Sequence, residues 1–182
     1  MRSAAYLGLA VFLLLVQSNL HRIIGPLGAL VGPRWVHGIT PSLVLPLIVF
    51  LGVHELSMAR GALLAFAIGY AEDTLSGAPI GLFTFVSVAL WWLARVAGVR
   101  LTAQTALPRM SLAFAFSLVE GAMVLILLAI FGDDTRRPIE VGSVVVPRAL
   151  ATALCSPPVF RLAQRLRQGP VPLRAREGSV NA

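Results

Sequence analysis

Charged residues are scarce in this chain of 182 residues. Only 13% of the residues carry a charge, 57% are hydrophobic, and the mean hydropathy is +0.83. A soluble domain of this length could not bury so much apolar surface, and the apolar runs recur from end to end instead of forming a single core or anchor. The composition therefore predicts an all-α, polytopic membrane protein.

Lysine is absent, and cysteine nearly so. All fifteen cations are arginine, and the net charge is +7. Basic chains often bind nucleic acid, but these arginines lie at the ends of apolar runs, where they set topology and contact lipid headgroups. We therefore expect membrane lipids, and no nucleic acid, as partners. The lone Cys155 can form no intrachain disulfide and is expected to be a small buried residue.

Catalytic and metal-binding motifs are lacking as well. The sequence contains no Walker loop, dinucleotide fingerprint, HExxH or CxxC motif, and no nucleophile–base set. His21 and His37 have no further ligand-like neighbours, so we expect them at the membrane interface and not on zinc. The chain is predicted to be no enzyme and to hold no cofactor or metal. A lipid-modifying enzyme built from scattered carboxylates is a minor alternative.

The chain does have six apolar runs. They predict spans at about 4–20, 41–56, 61–75, 79–99, 109–131 and 141–160, in one domain over 1–167 with a disordered tail over 168–182. Residues 21–40 are expected to form an apolar loop on the bilayer surface. Pro46 is expected to kink the second span, and Pro157 and Pro158 to bend or end the sixth.

Arginine placement gives the orientation. With the N-terminus in the cytoplasm and six spans, the cytoplasmic side carries Arg2, Arg60, Arg95, Arg100, Arg109, Arg161, Arg165, Arg167, Arg174 and Arg176, and the outer side only Arg22, Arg34, Arg136 and Arg137. This distribution obeys the positive-inside rule. If the short third span did not cross, the C-terminal arginines would lie outside, so we expect it to cross, with both termini cytoplasmic.

The segment from Gly61 to Leu82 organises the rest of the chain. Small residues recur every four positions at Gly61, Ala65 and Gly69, and the next position in the series is Asp73. Such a face permits close packing of a neighbouring helix. The turn residues Gly77, Pro79 and Gly81 follow. Asp73 is predicted to fix this turn and to shape an outer surface that a partner recognises, and an ion or partner site at Glu72 and Asp73 is the alternative.

Two further charged residues lie inside apolar runs. Glu120 is near the middle of the fifth span, and Arg148 is in the sixth. A carboxylate at that depth is either protonated or paired. The two positions differ in depth by about 6 Å at 1.5 Å per residue, which an arginine side chain can cover. We therefore predict an intramembrane ion pair between Glu120 and Arg148.

The layout resembles the MreD family of rod-shape-determining proteins. The resemblance rests on Thr40-Pro41-Ser42-Leu43-Val44-Leu45, on the short helical hairpin after it, and above all on Gly69 to Leu82, GYAEDTLSGAPIGL; Ser42 stands where the family often has Asp. It implies a non-enzymatic inner-membrane component of the bacterial elongation complex, which supports cell shape and lateral peptidoglycan synthesis. The implied partners are MreC, the MreB filament, and RodA with its penicillin-binding transpeptidase.

A second hypothesis comes from the same helix layout. The family is similar in layout to the substrate-binding subunits of energy-coupling-factor transporters, which implies a small-molecule-binding subunit of a membrane transporter. Such a subunit needs a pocket lined by polar and aromatic residues, and candidate lining residues are sparse in this sequence. The sequence therefore favours the scaffold.

The predicted orientation is directly testable. Alkaline phosphatase fused after Ala182 should be inactive, and a fluorescent protein fused at the same position should fluoresce, because the C-terminus is expected in the cytoplasm. Fusions after Arg34 should give the opposite pair of signals. An active phosphatase at the C-terminus would reverse the orientation.

Overall fold

The computed structural model describes residues 2–31, 41–54, 57–76, 79–97, 106–131 and 136–168. These residues form six helices and no strand: α1 (Arg2–Val31), α2 (Leu45–His54), α3 (Met58–Ser76), α4 (Leu82–Val96), α5 (Ala106–Phe131) and α6 (Arg136–Gln168). The all-α class is thus confirmed for the described part of the chain. The predicted disordered tail falls almost wholly outside it, as does Gly77.

Two stretches in the described helices are long and apolar enough to cross a membrane. They are Ser3–Leu20 in α1 and Leu107–Phe131 in α5. The helices α2 and α4 are apolar but have only 10 and 15 residues. A single crossing needs about 20 apolar residues when the helix is not broken or the bilayer thinned, so length and composition alone identify two candidate spans.

The first helix is longer than predicted. Residues 21–31 continue α1 instead of beginning a surface loop, although Gly25 and Pro26 lie among them. A proline removes one backbone hydrogen bond, which bends or weakens a helix without always ending it. The expectation of a loop was wrong for this stretch, while residues 32–40 lie outside the described part.

The second helix is shorter than predicted. It begins at Leu45 and not at Pro41, because the N–H groups of Ser42 and Leu43 bind side chains of other helices. Pro46 is therefore in the first turn, where its missing N–H has no intrahelical acceptor to lose. The predicted kink in mid-helix was wrong for that reason.

The sixth helix passes through its proline pair. We expected Pro157 and Pro158 to bend or end it, but α6 continues to Gln168. Pro157 cannot donate to the carbonyl of Ala153 four residues earlier, and the hydroxyl of Ser156 donates to that carbonyl instead, at 2.8 Å. The serine satisfies an acceptor that the proline leaves free, which allows the helix to continue.

The central element is α2. Its residues from Leu45 to Gly52 are all buried, and it packs against α3, α4, α5 and α6. Its Phe50 also contacts Tyr6 of α1, with 6.5 Å between the ring centroids. The most extensive contacts elsewhere are between α5 and α6 and between α3 and α4. The other five helices therefore surround α2.

Glycines set the distance of α4 from its two neighbours. A Cβ on Gly52 would lie 2.7 Å from the Cβ of Ala94, and a Cβ on Gly69 would lie 2.6 Å from the Cα of Thr84. Gly61 is covered by the indole of Trp91. Real Cβ atoms do not come this close to backbone, so α4 fits only because these positions lack a side chain.

Gly69→Ala should lower the thermal unfolding midpoint of the purified protein. The new methyl meets backbone atoms of Phe83 and Thr84, which cannot turn aside, and such overpacking costs about 1–3 kcal/mol. Gly8→Ala is the matched control, because nothing lies within 4 Å of its Cβ position in α1. Equal midpoints for the two variants would contradict the close approach of α3 and α4.

Candidate functional site: a buried polar cluster

The side chain of Asp73, in the last turns of α3, binds the start of α4. Its carboxylate accepts hydrogen bonds from the N–H groups of Gly81 (3.0 Å), Phe83 (2.8 Å) and Thr84 (3.1 Å), and from the hydroxyl of Thr84. The side chain is nearly inaccessible, since Asp73 is 2% exposed. The first N–H groups of a helix have no intrahelical acceptor and favour a nearby negative charge. Asp73 therefore caps α4 from the preceding helix.

The backbone at Gly81 explains why the cap comes from elsewhere. Gly81 is the N-cap residue of α4 and has φ 98° and ψ −14°, in the left-handed region. Glycine adopts this conformation at little cost, but it has no side-chain oxygen to bind the N–H groups beyond it. The carboxylate of Asp73 supplies that oxygen. The turn leaves Ile80, at 87% exposed, on the surface.

The small-residue face packs within the chain. Ala65 is completely buried, and Gly61 and Gly69 on either side of it contact α4. The neighbouring helix that this face accommodates is thus α4 of the same chain. A partner helix cannot occupy the face while α4 covers it, and the partner-binding role of the motif stays a prediction that concerns its other surfaces.

A second polar centre lies around Glu120. Arg148 Nη2 is 3.7 Å from Glu120 Oε1, and the hydroxyl of Ser42 donates to the same oxygen at 3.3 Å. The structure therefore brings the predicted pair together. The carboxylate is buried, whereas the arginine side chain is 33% exposed and reaches inward from the surface of α6.

Two polar side chains that bind the segment before α2 were not anticipated from the sequence. The N–H of Ser42 donates to Thr152 Oγ1 at 2.9 Å, and the N–H of Leu43 donates to Gln17 Oε1 at 3.0 Å. These bonds tie the segment before α2 to α1 and α6. Thr152 and Gln17 are neutral polar residues within predicted spans, and no local pattern distinguishes them. Ser42 is distinguished only by its position within the family-like motif.

Glu72 is a third buried carboxyl group. It is 5% exposed and precedes Asp73 in α3. Three buried carboxyl groups thus share the interior with one guanidinium and the N-terminus of α4. Buried charges need such partners, because desolvating them alone is costly. Asp73 thus joins α3 to α4, and Glu120 with Arg148 joins α5 to α6.

Within the described residues, no group of three or more His, Cys, Asp and Glu side chains is placed to hold a metal ion. Both oxygens of Asp73 are engaged by the backbone of α4. The arrangement serves to hold helices at fixed positions.

No family model, curated protein or solved structure matches the chain.

Asp73→Ala should destabilise the protein strongly. It leaves three N–H groups and one hydroxyl without this acceptor. The two groups of Thr84 are buried, and each buried group left unsatisfied costs about 1–3 kcal/mol. The unfolding midpoint in detergent should fall well below that of Thr74→Ala. Thr74 is the matched control, since it is the exposed neighbour and binds only the carbonyl of Ala71. A loss for Asp73→Ala no larger than for Thr74→Ala would show that the cap contributes little.

Proposed function

We propose that this chain is a multi-pass inner-membrane protein that acts as a non-enzymatic scaffold of the bacterial elongation complex, as the MreD family does. Its six helices would cross or enter the membrane with both termini in the cytoplasm. The observation that carries the proposal is the role of Asp73: the acidic residue of the family-like motif accepts hydrogen bonds that hold the start of α4 to the end of α3.

The outer surface of the helices supports membrane insertion. Large apolar side chains are exposed along one face of five helices, including Phe12 on α1, Leu63 and Phe66 on α3, Phe85 and Trp92 on α4, Ile126 and Ile130 on α5, and Leu150 and Leu154 on α6. Water-soluble monomers rarely expose contiguous apolar surface of this extent. Buried carboxylates inside an apolar exterior are the arrangement expected in lipid.

The motif's geometry supports a scaffold over an enzyme. Gly69 allows close packing, Gly81 provides the left-handed turn, and Asp73 caps the helix that follows. Each of these three residues has a structural task, and the carboxylate of Asp73 is occupied by its hydrogen bonds to the start of α4. A rigid turn of this kind holds a surface in a fixed shape, which reduces the entropy lost when a partner binds.

The partner contact would lie beside this turn. A groove of about 460 Å³ runs between the turn and the end of α5, lined by Pro79, Ile80, Gly81, Leu82, Phe85, Leu127, Leu128 and Phe131. Its lining is apolar, so it suits an apolar transmembrane helix of one of the partners implied by the family resemblance: MreC, RodA or the penicillin-binding transpeptidase. The MreB filament would be reached from the cytoplasmic side.

The transporter-subunit hypothesis finds less support. Small-molecule sites usually enclose 300–1,000 Å³ and contain a few converging polar groups. The polar cavity beside Glu120 has only about 40 Å³, and the larger groove has no charged lining residue. Neither feature of the described structure combines sufficient volume with polar groups.

Depletion of the protein in its native host should turn rod-shaped cells round. Wild-type and Thr74→Ala genes should restore the rods, whereas Asp73→Ala should not, with membrane levels checked by immunoblot. Vitamin auxotrophy with normal shape would support the transporter subunit instead. Full rescue by Asp73→Ala at normal level would remove Asp73 from the account.

Ile80→Ala should separate partner binding from folding. Ile80 is almost fully exposed, so its truncation should leave the unfolding midpoint unchanged, while a contact at the centre of an interface should weaken co-purification with the partner about tenfold or more. Leu63→Ala is the control, since Leu63 is an exposed residue of α3 outside the groove. Equal recovery of the partner with both variants would place the interface elsewhere.

A further inference from the structure

A small cavity lies between α5 and α6, next to the pair formed by Glu120 and Arg148. Its volume is about 40 Å³. Its wall includes the polar residues Ser117, Glu120 and Arg148 and the apolar residues Gly121, Val124 and Val145. Gly121 keeps the two helices close here, since a Cβ at that position would lie 2.6 Å from Val145 Cγ1.

Three polar atoms of the residues around the cavity are buried without a hydrogen-bond partner. They are Ser117 Oγ, Glu120 Oε2 and Arg148 Nε. Ser117 and Glu120 are each at least nine-tenths buried. Buried polar groups in folded proteins are almost always hydrogen-bonded to protein or to ordered water. Three such groups around one cavity therefore point to an occupant that the protein itself does not supply.

The chemistry of the three atoms limits the occupant. A carboxylate oxygen accepts, a guanidinium N–H donates, and a hydroxyl does both. A bound anion would meet the charge of Glu120, and a bound cation would meet the charge of Arg148. The site therefore favours a neutral molecule that both donates and accepts hydrogen bonds.

The volume limits the occupant further. A water molecule needs about 10–15 Å³ of such space and two to four polar partners. We propose that this cavity is a binding site for a small cluster of water molecules, which bridges Glu120 Oε2, Arg148 Nε and Ser117 Oγ. The water completes an ion pair whose direct N–O distance of 3.7 Å is long, and it does so independently of the proposed scaffold function.

A high-resolution structure of the full chain in a lipid environment tests the site. We expect density for water within hydrogen-bonding distance of at least two of the three atoms Ser117 Oγ, Glu120 Oε2 and Arg148 Nε. A dry cavity, a direct pairing of Glu120 Oε2 with Arg148 Nε, or an ion or lipid group in the density would each overturn the proposal.

Two substitutions sharpen the test. Ser117→Val removes the hydroxyl and fills space, so the water nearest to it should be lost. Ser117→Ala removes the hydroxyl but leaves room, so water between Glu120 and Arg148 should remain.

If Ser117→Val does not fold, radiolytic labelling of the wild type in ¹⁸O water provides a second measurement. Oxidation at Val145 should exceed that at buried Ile48 several-fold, and equal labelling would overturn the proposal.

Discussion

The carboxylate of Asp73 accepts hydrogen bonds from the N–H groups of Gly81, Phe83 and Thr84 at the start of α4. The packing around α4 depends on this contact. It fixes where α4 begins, and α4 then fits over Gly69 and Gly61 of α3 and over Gly52 of α2. A Cβ at any of the three glycines would come within 2.7 Å of atoms of α4, so α4 lies in close contact with both helices. The contact of Asp73 thus sets the start of a helix that packs tightly on two others.

The second polar centre, around Glu120, connects helices on the other side of the bundle, as Asp73 connects α3 and α4. Glu120, Ser42 and Thr152 connect the segment before α2 to α5 and α6. Apolar packing is non-directional, and in lipid it favours no helix pair strongly. Directional polar contacts inside the bundle are therefore well suited to specify one arrangement of its helices.

Part of this arrangement could be predicted from the sequence. The turn before α4 and the role of Asp73 in it could be predicted, because small residues, an acidic residue and turn-forming residues follow one another at regular spacings. The proximity of Glu120 and Arg148 could be predicted from their similar depths in the two predicted spans. The sequence did not predict that α1 continues through Pro26 or that α6 continues through Pro157. Whether a proline ends a helix depends on whether another group, such as Ser156, takes the freed carbonyl. The contacts of Gln17 and Thr152 join residues far apart in the chain, and no local pattern encodes them.

Hydrogen–deuterium exchange on the full chain in lipid nanodiscs measures the central contact directly. If Asp73 caps α4, the amides of Gly81, Phe83 and Thr84 exchange as slowly as amides inside α4, although an uncapped helix start exchanges quickly. In an Asp73→Asn variant, which keeps the shape but halves the acceptor capacity, protection at these three amides should fall while that of Leu90 is unchanged. Equal protection in both proteins, or rapid exchange at the three amides in the wild type, would contradict the account.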